Sequence, residues 1–219
     1  MTIKHLATLL ATAAMAGAAQ AAVITLDSNP TTFYQNNDAS PCVIGGENCK
    51  GDLPYTVAGS GGAGTEFDEL SPVYAFSDIT DLTGSNQFII GLDYNDTSKD
   101  QILREFSMIF CSDATCSSSN GTAQTYTGPT DLKTTNNGVG FSDFLLNGFN
   151  LADNNGGDTF VQFSATWFNN DGPDRYFIIG CLGEENCGDD TPPIPEPSSM
   201  LLMGGGLLGL AFWRKRRNS

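Results

Sequence analysis

The stretch "DTFVQFSATWFNN", residues 158–170, alternates apolar and polar side chains. Val161, Phe163, Ala165 and Trp167 fall on one side, and Gln162, Ser164 and Thr166 on the other. A period of two with aromatic and β-branched enrichment marks a strand with one buried face. "NQFIIGLDYN" (86–95) repeats the pattern with Phe88, Ile90, Leu92 and Tyr94, and "LREFSMIFCSD" (103–113) with Phe106, Met108 and Phe110. Further strands are expected in "VITLDS" (23–28), "PYTVAGS" (54–60), "PVYAFSDI" (72–79), "TAQTYTG" (122–128) and "DRYFIIGCLG" (174–183).

Turn chemistry separates these segments: "GSGGAG" (59–64), "SSSNG" (117–121), "TTNNGVG" (134–140) and "NNDGPD" (169–174) are rich in residues that tolerate positive φ. Only "FSDFLLNGFNLA" (141–152) suggests a helical turn or two, through Phe141, Phe144, Leu145 and Phe149. Many short strands with regular turns predict an all-β fold, a single antiparallel β-sandwich of jelly-roll type spanning residues 22–188.

The ends read differently. Residues 1–21 have Lys4 as a positive start, an apolar run from Leu6 to Ala18, and Ala19-Gln20-Ala21 as a small-x-small cleavage pattern. That is the layout of a secretory signal peptide. Residues 189–197, "DDTPPIPEP", carry four prolines and form an extended linker. From Ser198 to Trp213 there are 16 uncharged residues. A helix of that length rises about 24 Å, enough to span a bilayer with local thinning. Arg214, Lys215, Arg216 and Arg217 follow within the terminal segment 214–219, and such a cluster is retained on the cytoplasmic side.

Between residues 22 and 195, 24 acidic residues face only Lys50, Lys99, Arg104, Lys133 and Arg175, a net charge of −19. Nucleic-acid binding is excluded, because nothing neutralises phosphates. Six cysteines on an exported chain point to disulfides. They fall into three close pairs: Cys42 with Cys49, Cys111 with Cys116, and Cys181 with Cys187. Fifteen connectivities are open, and local pairing is the expected one. No C-x2-C spacing favours zinc.

The single histidine, His5, lies in the signal segment. Triads, Cys-His nucleophiles and histidine metal sites are therefore out of reach of the exported body. Carboxylates remain. Glu66, Asp68 and Glu69 in "GTEFDEL" supply acids for a glycoside hydrolase, which holds two of them roughly 5–9 Å apart. Calcium has two candidate turns: Asp93, Asn95, Asp96 and Asp100 in one, and Asp153, Asn154, Asn155 and Asp158 in the other. Closely spaced oxygen ligands suit that ion, although neither turn has the EF-hand pattern. Tyr34, Tyr126 and Trp167 are candidates for stacking on sugar rings, Trp167 being equally suited to the core.

Pro195-Glu196-Pro197, then a glycine-interrupted apolar segment and a terminal Arg/Lys cluster, resemble the PEP-CTERM sorting signal of Gram-negative bacteria over residues 194–217. The resemblance implies export through the inner membrane, a transient membrane anchor at 198–213, and an exosortase as partner, with Pro195, Glu196 and Pro197 as its recognition motif. It further implies delivery to the cell surface or to an extracellular polysaccharide or biofilm matrix. The expected function is a non-enzymatic structural or glycan-binding component, with calcium as its one candidate cofactor. The alternative is a carboxylate-based enzyme acting on extracellular glycans.

Overall fold

A computed structural model describes residues 23–59, 65–94, 101–132, 140–154, 157–168 and 174–181. The strands are β1 (Thr25–Asp27), β2 (Cys42–Gly45), β3 (Thr56–Val57), β4 (Glu66–Ala75), β5 (Gln87–Asp93), β6 (Gln101–Cys111), β7 (Ser119–Leu132), β8 (Phe144–Asn150), β9 (Phe160–Phe168) and β10 (Arg175–Gly180). A single helix, α1 (Phe76–Thr83), and a 3₁₀ turn at Leu151–Asp153 complete the described elements. The strands form a six-stranded sheet, β1-β8-β5-β10-β2-β3, and a four-stranded sheet, β4-β9-β6-β7. All pairings are antiparallel except β2 with β3. The protein is an all-β sandwich.

The deciding strand behaves as its alternation requires. Val161, Phe163, Ala165 and Trp167 of β9 are fully buried, whereas Gln162, Ser164 and Thr166 are partly exposed. The space between the sheets is filled by aromatic rings: Phe106 packs on Phe149, Phe163 and Tyr176, and Trp167 on Phe67 and Tyr176. Offset and edge-on pairs of this kind add about 0.5–1.5 kcal/mol each beyond area burial.

Three expectations are corrected. First, β5 is buried on both faces, not one, and its neighbour β10 is buried on both faces too. Ile89, Phe177 and Ile179 form a second cluster with Cys42 and Leu145, against which Tyr34, Cys49 and Tyr55 pack. The segment leading from β1 to β3 thus covers the outer face of the six-stranded sheet. Second, "PVYAFSDI" is not all strand. Asp78 accepts the Ala75 N–H at 3.0 Å and starts α1, and Gly84 ends it at φ 68°. An acidic side chain satisfying an open amide at a helix start favours this switch.

Third, "FSDFLLNGFNLA" is β8 and a 3₁₀ turn. A register shift opposite Phe88 and Ile90, with Gly148 at φ 104°, brings Phe144, Leu146 and Phe149 into one core. A bulge that adds one residue turns a period of two into a spacing of three, which mimics a helix in the sequence.

The registers sort the connections to two ends of the sandwich. One end carries α1, the Cys111–Cys116 loop and the 3₁₀ turn, and the chain both enters β1 and leaves β10 there. The other end gathers Tyr94, Gln101, Leu132, Asp143 and Asp174. The predicted signal segment, linker and membrane helix lie outside the described residues. Among the described residues, no helix is long and apolar enough to cross a membrane.

Candidate functional site

The outer face of the four-stranded sheet is an open polar platform. Because strand side chains alternate, the residues opposite the buried set all point outward together. Register places Asp68, Thr166, Glu105 and Thr127 in one row across β4, β9, β6 and β7, with Leu70, Ser164, Ser107 and Thr125 in the next. Thr166 Oγ1 donates to Asp68 Oδ1 at 2.7 Å, and Ser107 Oγ lies 3.0 Å from both Glu105 Oε1 and Thr125 Oγ1. At the edge of the platform Arg104 Nε contacts Glu66 Oε2 at 2.8 Å while its guanidinium covers Phe168, 5.8 Å from the ring centre. The signal for this face in the sequence is the polar half of each alternating strand.

The three candidate acids do not share one face. Glu66 and Asp68 stand on the platform. Glu69 points to the other side of β4, where its Oε1 accepts the Gly59 N–H at 3.3 Å. The stacking candidates also divide. Trp167 is fully buried in the core, and its ring is not available to a ligand. Tyr34 is half-buried against the outer cluster, with its amide on Ser142 Oγ. Tyr126 packs on the main core and its hydroxyl bonds that of Thr130.

Of the calcium candidates, Asn95, Asp96, Asp100 and Asn155 lie outside the described residues. Asp93 is buried on the outer face of the six-stranded sheet, where Oδ2 accepts the Gly140 N–H at 2.6 Å and faces Arg175 Nη1 at 3.7 Å. Asp153 and Asp158 are at the opposite end. Asp153 accepts from Gln124 Nε2 at 3.0 Å and from Asn150 Nδ2 at 3.3 Å, and burial raises its pKa. Asp158 is buried. Among the described residues no three acidic, cysteine or histidine side chains converge as metal ligands.

Among the described residues two disulfides are complete, Cys42–Cys49 and Cys111–Cys116, with Cα separations of 5.9 and 4.9 Å, and Cys181 is disulfide-bonded as well. Cys187 of the third expected pair lies outside the described residues. Within the second loop Asp113 is the organising group. Its carboxylate accepts from the Thr115 and Ser117 amides and from the Thr115, Ser117 and Ser118 hydroxyls. Those bonds, from Thr115 first and then Ser117, hold its pKa far below the usual carboxylate range.

No curated protein and no solved structure matches the chain. A family model does match, over residues 193–217, and it describes the PEP-CTERM protein-sorting motif. The chain therefore carries a PEP-CTERM sorting motif on its C-terminal tail, the mark of an exported protein addressed to an exosortase.

Proposed function

We propose that this is a non-enzymatic surface or matrix protein that binds polysaccharide through the platform of its four-stranded sheet. The observation that carries the reading is the sorting motif at 193–217. In this reading the segment 198–213 is a transient anchor in the inner membrane of a Gram-negative cell. The cluster Arg214, Lys215, Arg216 and Arg217 holds it there, and an exosortase cuts at or near Pro195-Glu196-Pro197. The body is a jelly roll. Support comes from the strand order: the orders β2-β10-β5-β8 and β4-β9-β6-β7 interleave as two four-stranded sheets linked by two Greek keys. A binding role is favoured over hydrolysis because Glu66 is tied to Arg104, Asp68 to Thr166, and Glu69 faces away from both.

Two measurements test this. Mass spectrometry of the released protein is expected to show a C-terminus near Pro195, and Glu196→Ala to leave the hydrophobic tail attached. An intact Trp213 in the released wild-type protein would count against processing. In glycan-affinity assays Thr166→Ala with Thr127→Ala is expected to weaken retention on the producer's own polysaccharide. Glycan hydrolysis that disappears in Glu66→Gln would replace the binding reading with the enzymatic one.

A further inference from the structure

Strand β7 ends the four-stranded sheet. β6 pairs with one side of it, and among the described residues no strand pairs with the other. Between Ala123 and Thr127 the pairing is regular, from Ile109 opposite Ala123 to Glu105 opposite Thr127, and register shifts bound this run on both sides. An open, regular edge is a template for another strand, and proteins guard such edges with charge, proline, bulges or a covering segment. Here the guards are missing from the run. No charged residue occurs from Ser117 to Thr130, and the first proline is Pro129.

The other edges contrast with this one. β4, at the far side of the same sheet, carries Glu66, Asp68, Glu69 and Pro72. Its register shifts between Leu70 and Val73, and Thr56 Oγ1 donates to the Leu70 carbonyl at 2.5 Å. The six-stranded sheet ends in β1 and β3, which have three and two residues. A five-residue template exists only at β7 among the described residues.

Charge decides the occupant. With a net −19 between residues 22 and 195, two copies of this body repel each other over most of their surfaces. The β7 edge is where they can approach without opposing carboxylates. We propose that it pairs antiparallel with the same edge of a second copy, about a two-fold axis at Thr125, the middle of the regular run. Such a contact is self-complementary and closes as a dimer. The guarded β4 edge stops it from growing into a fibre. In this register Thr125 lies opposite Thr125 of the second copy, and Ala123 opposite its Thr127. The row that ends in Glu105 and Thr127 then runs on into Ala123 and Ile109 of the second copy, so the two Glu105 carboxylates do not meet. The row of Ser164, Ser107 and Thr125 continues into its own image, and two polar platforms become one eight-stranded surface.

Sedimentation equilibrium of the purified exported protein tests this. A concentration-dependent dimer is expected, tightening with added salt as the net repulsion is screened. Thr125→Lys and Thr125→Asp should each weaken it by about fivefold or more, because like charges then oppose each other across the axis. Mixing the two variants should restore a heterodimer. Ser77→Lys, the same charge change on α1, should leave association unchanged. A wild type that stays monomeric up to millimolar concentration overturns the proposal. So do dimers that weaken with salt, dimers unaffected at Thr125, or a mixture of folded variants that stays monomeric. Circular dichroism checks folding. If either charged variant fails to fold, Thr125→Cys with a short thiol-to-thiol crosslinker decides: a covalent dimer upholds the register, and its absence refutes it.

Discussion

Arg104 and Glu66 meet at 2.8 Å although their strands, β6 and β4, are not neighbours. The contact passes over Phe168 on the intervening strand β9, and the Arg104 guanidinium lies above that ring. Both side chains are about half exposed, at 45 % and 48 %. An ion pair so open to water contributes roughly 0.2–1 kcal/mol. Arg104→Ala should therefore hardly change the unfolding midpoint in urea. Its effect should appear in binding, because it uncovers Phe168 and frees Glu66 on the platform. A changed glycan affinity with an unchanged midpoint supports a surface built for ligands, and a large loss of stability would show that the bridge is structural.

Strand β9 makes the sharpest test of the two-faced sheet. Phe163 touches Tyr74, Phe88 and Phe106 and is fully buried. Phe163→Ala should cost about 3–5 kcal/mol, the transfer loss plus the cavity left behind. Its neighbour Ser164 faces the platform, and Ser164→Ala should stay within about 0.5 kcal/mol. Equilibrium unfolding of the two variants gives the contrast directly. Equal costs would mean that the face assignment is wrong.

That contrast also explains what was legible in the sequence. The β9 and β6 alternations were plain because each strand has one wet face, so burial imprints a period of two. The two-sided burial of β10 was invisible, since "RYFIIG" carries no polar alternation to mark its outer cover. β2 was hidden inside "CVIGGENC", where a turn-like composition masks four strand residues. The platform could have been found from Thr166, Ser164 and Thr125 by reading the polar halves of adjacent strands. The hydrogen bond from Gln101 Nε2 to Asp174 Oδ1 inside the sandwich could not, because 73 residues separate the two and only the fold brings them together.

The Cys42–Cys49 and Cys111–Cys116 disulfides should differ in weight although their loops are of similar length. Loop entropy assigns each about 2 kcal/mol. Cys42 and Cys111 are both fully buried, but Cys42 lies in the apolar cluster of Ile89, Phe177 and Ile179, and Cys49 packs on the same cluster. The Cys111–Cys116 loop instead rests on the bonds around Asp113, several of them exposed. Replacing Cys42 and Cys49 by Ala should lower the midpoint more than replacing Cys111 and Cys116, by the extra packing lost. Denaturation of the two double variants under non-reducing conditions checks this. The reverse order would mean that the cover over the outer face contributes little.

Alkaline unfolding should follow from the interior tyrosines. Burial is the chief cause of the raised pKa values of Tyr74, Tyr94 and Tyr176, all well above the ordinary value of 10.0. Below that value both the folded and unfolded chains keep the phenolic protons, and the contribution to stability is intact. Above it the unfolded chain loses protons that the folded chain retains, so stability falls as pH rises. Tyrosinate absorbance from these three rings should appear in one cooperative step that coincides with loss of the β-sheet circular dichroism signal. Tyr94→Phe should shrink that step by the share of one ring. A gradual, non-cooperative ionisation of Tyr94 and Tyr176 while the sheet signal persists would show that their paired hydroxyls are open to solvent, and the packed core around Phe106 and Trp167 would have to be redrawn.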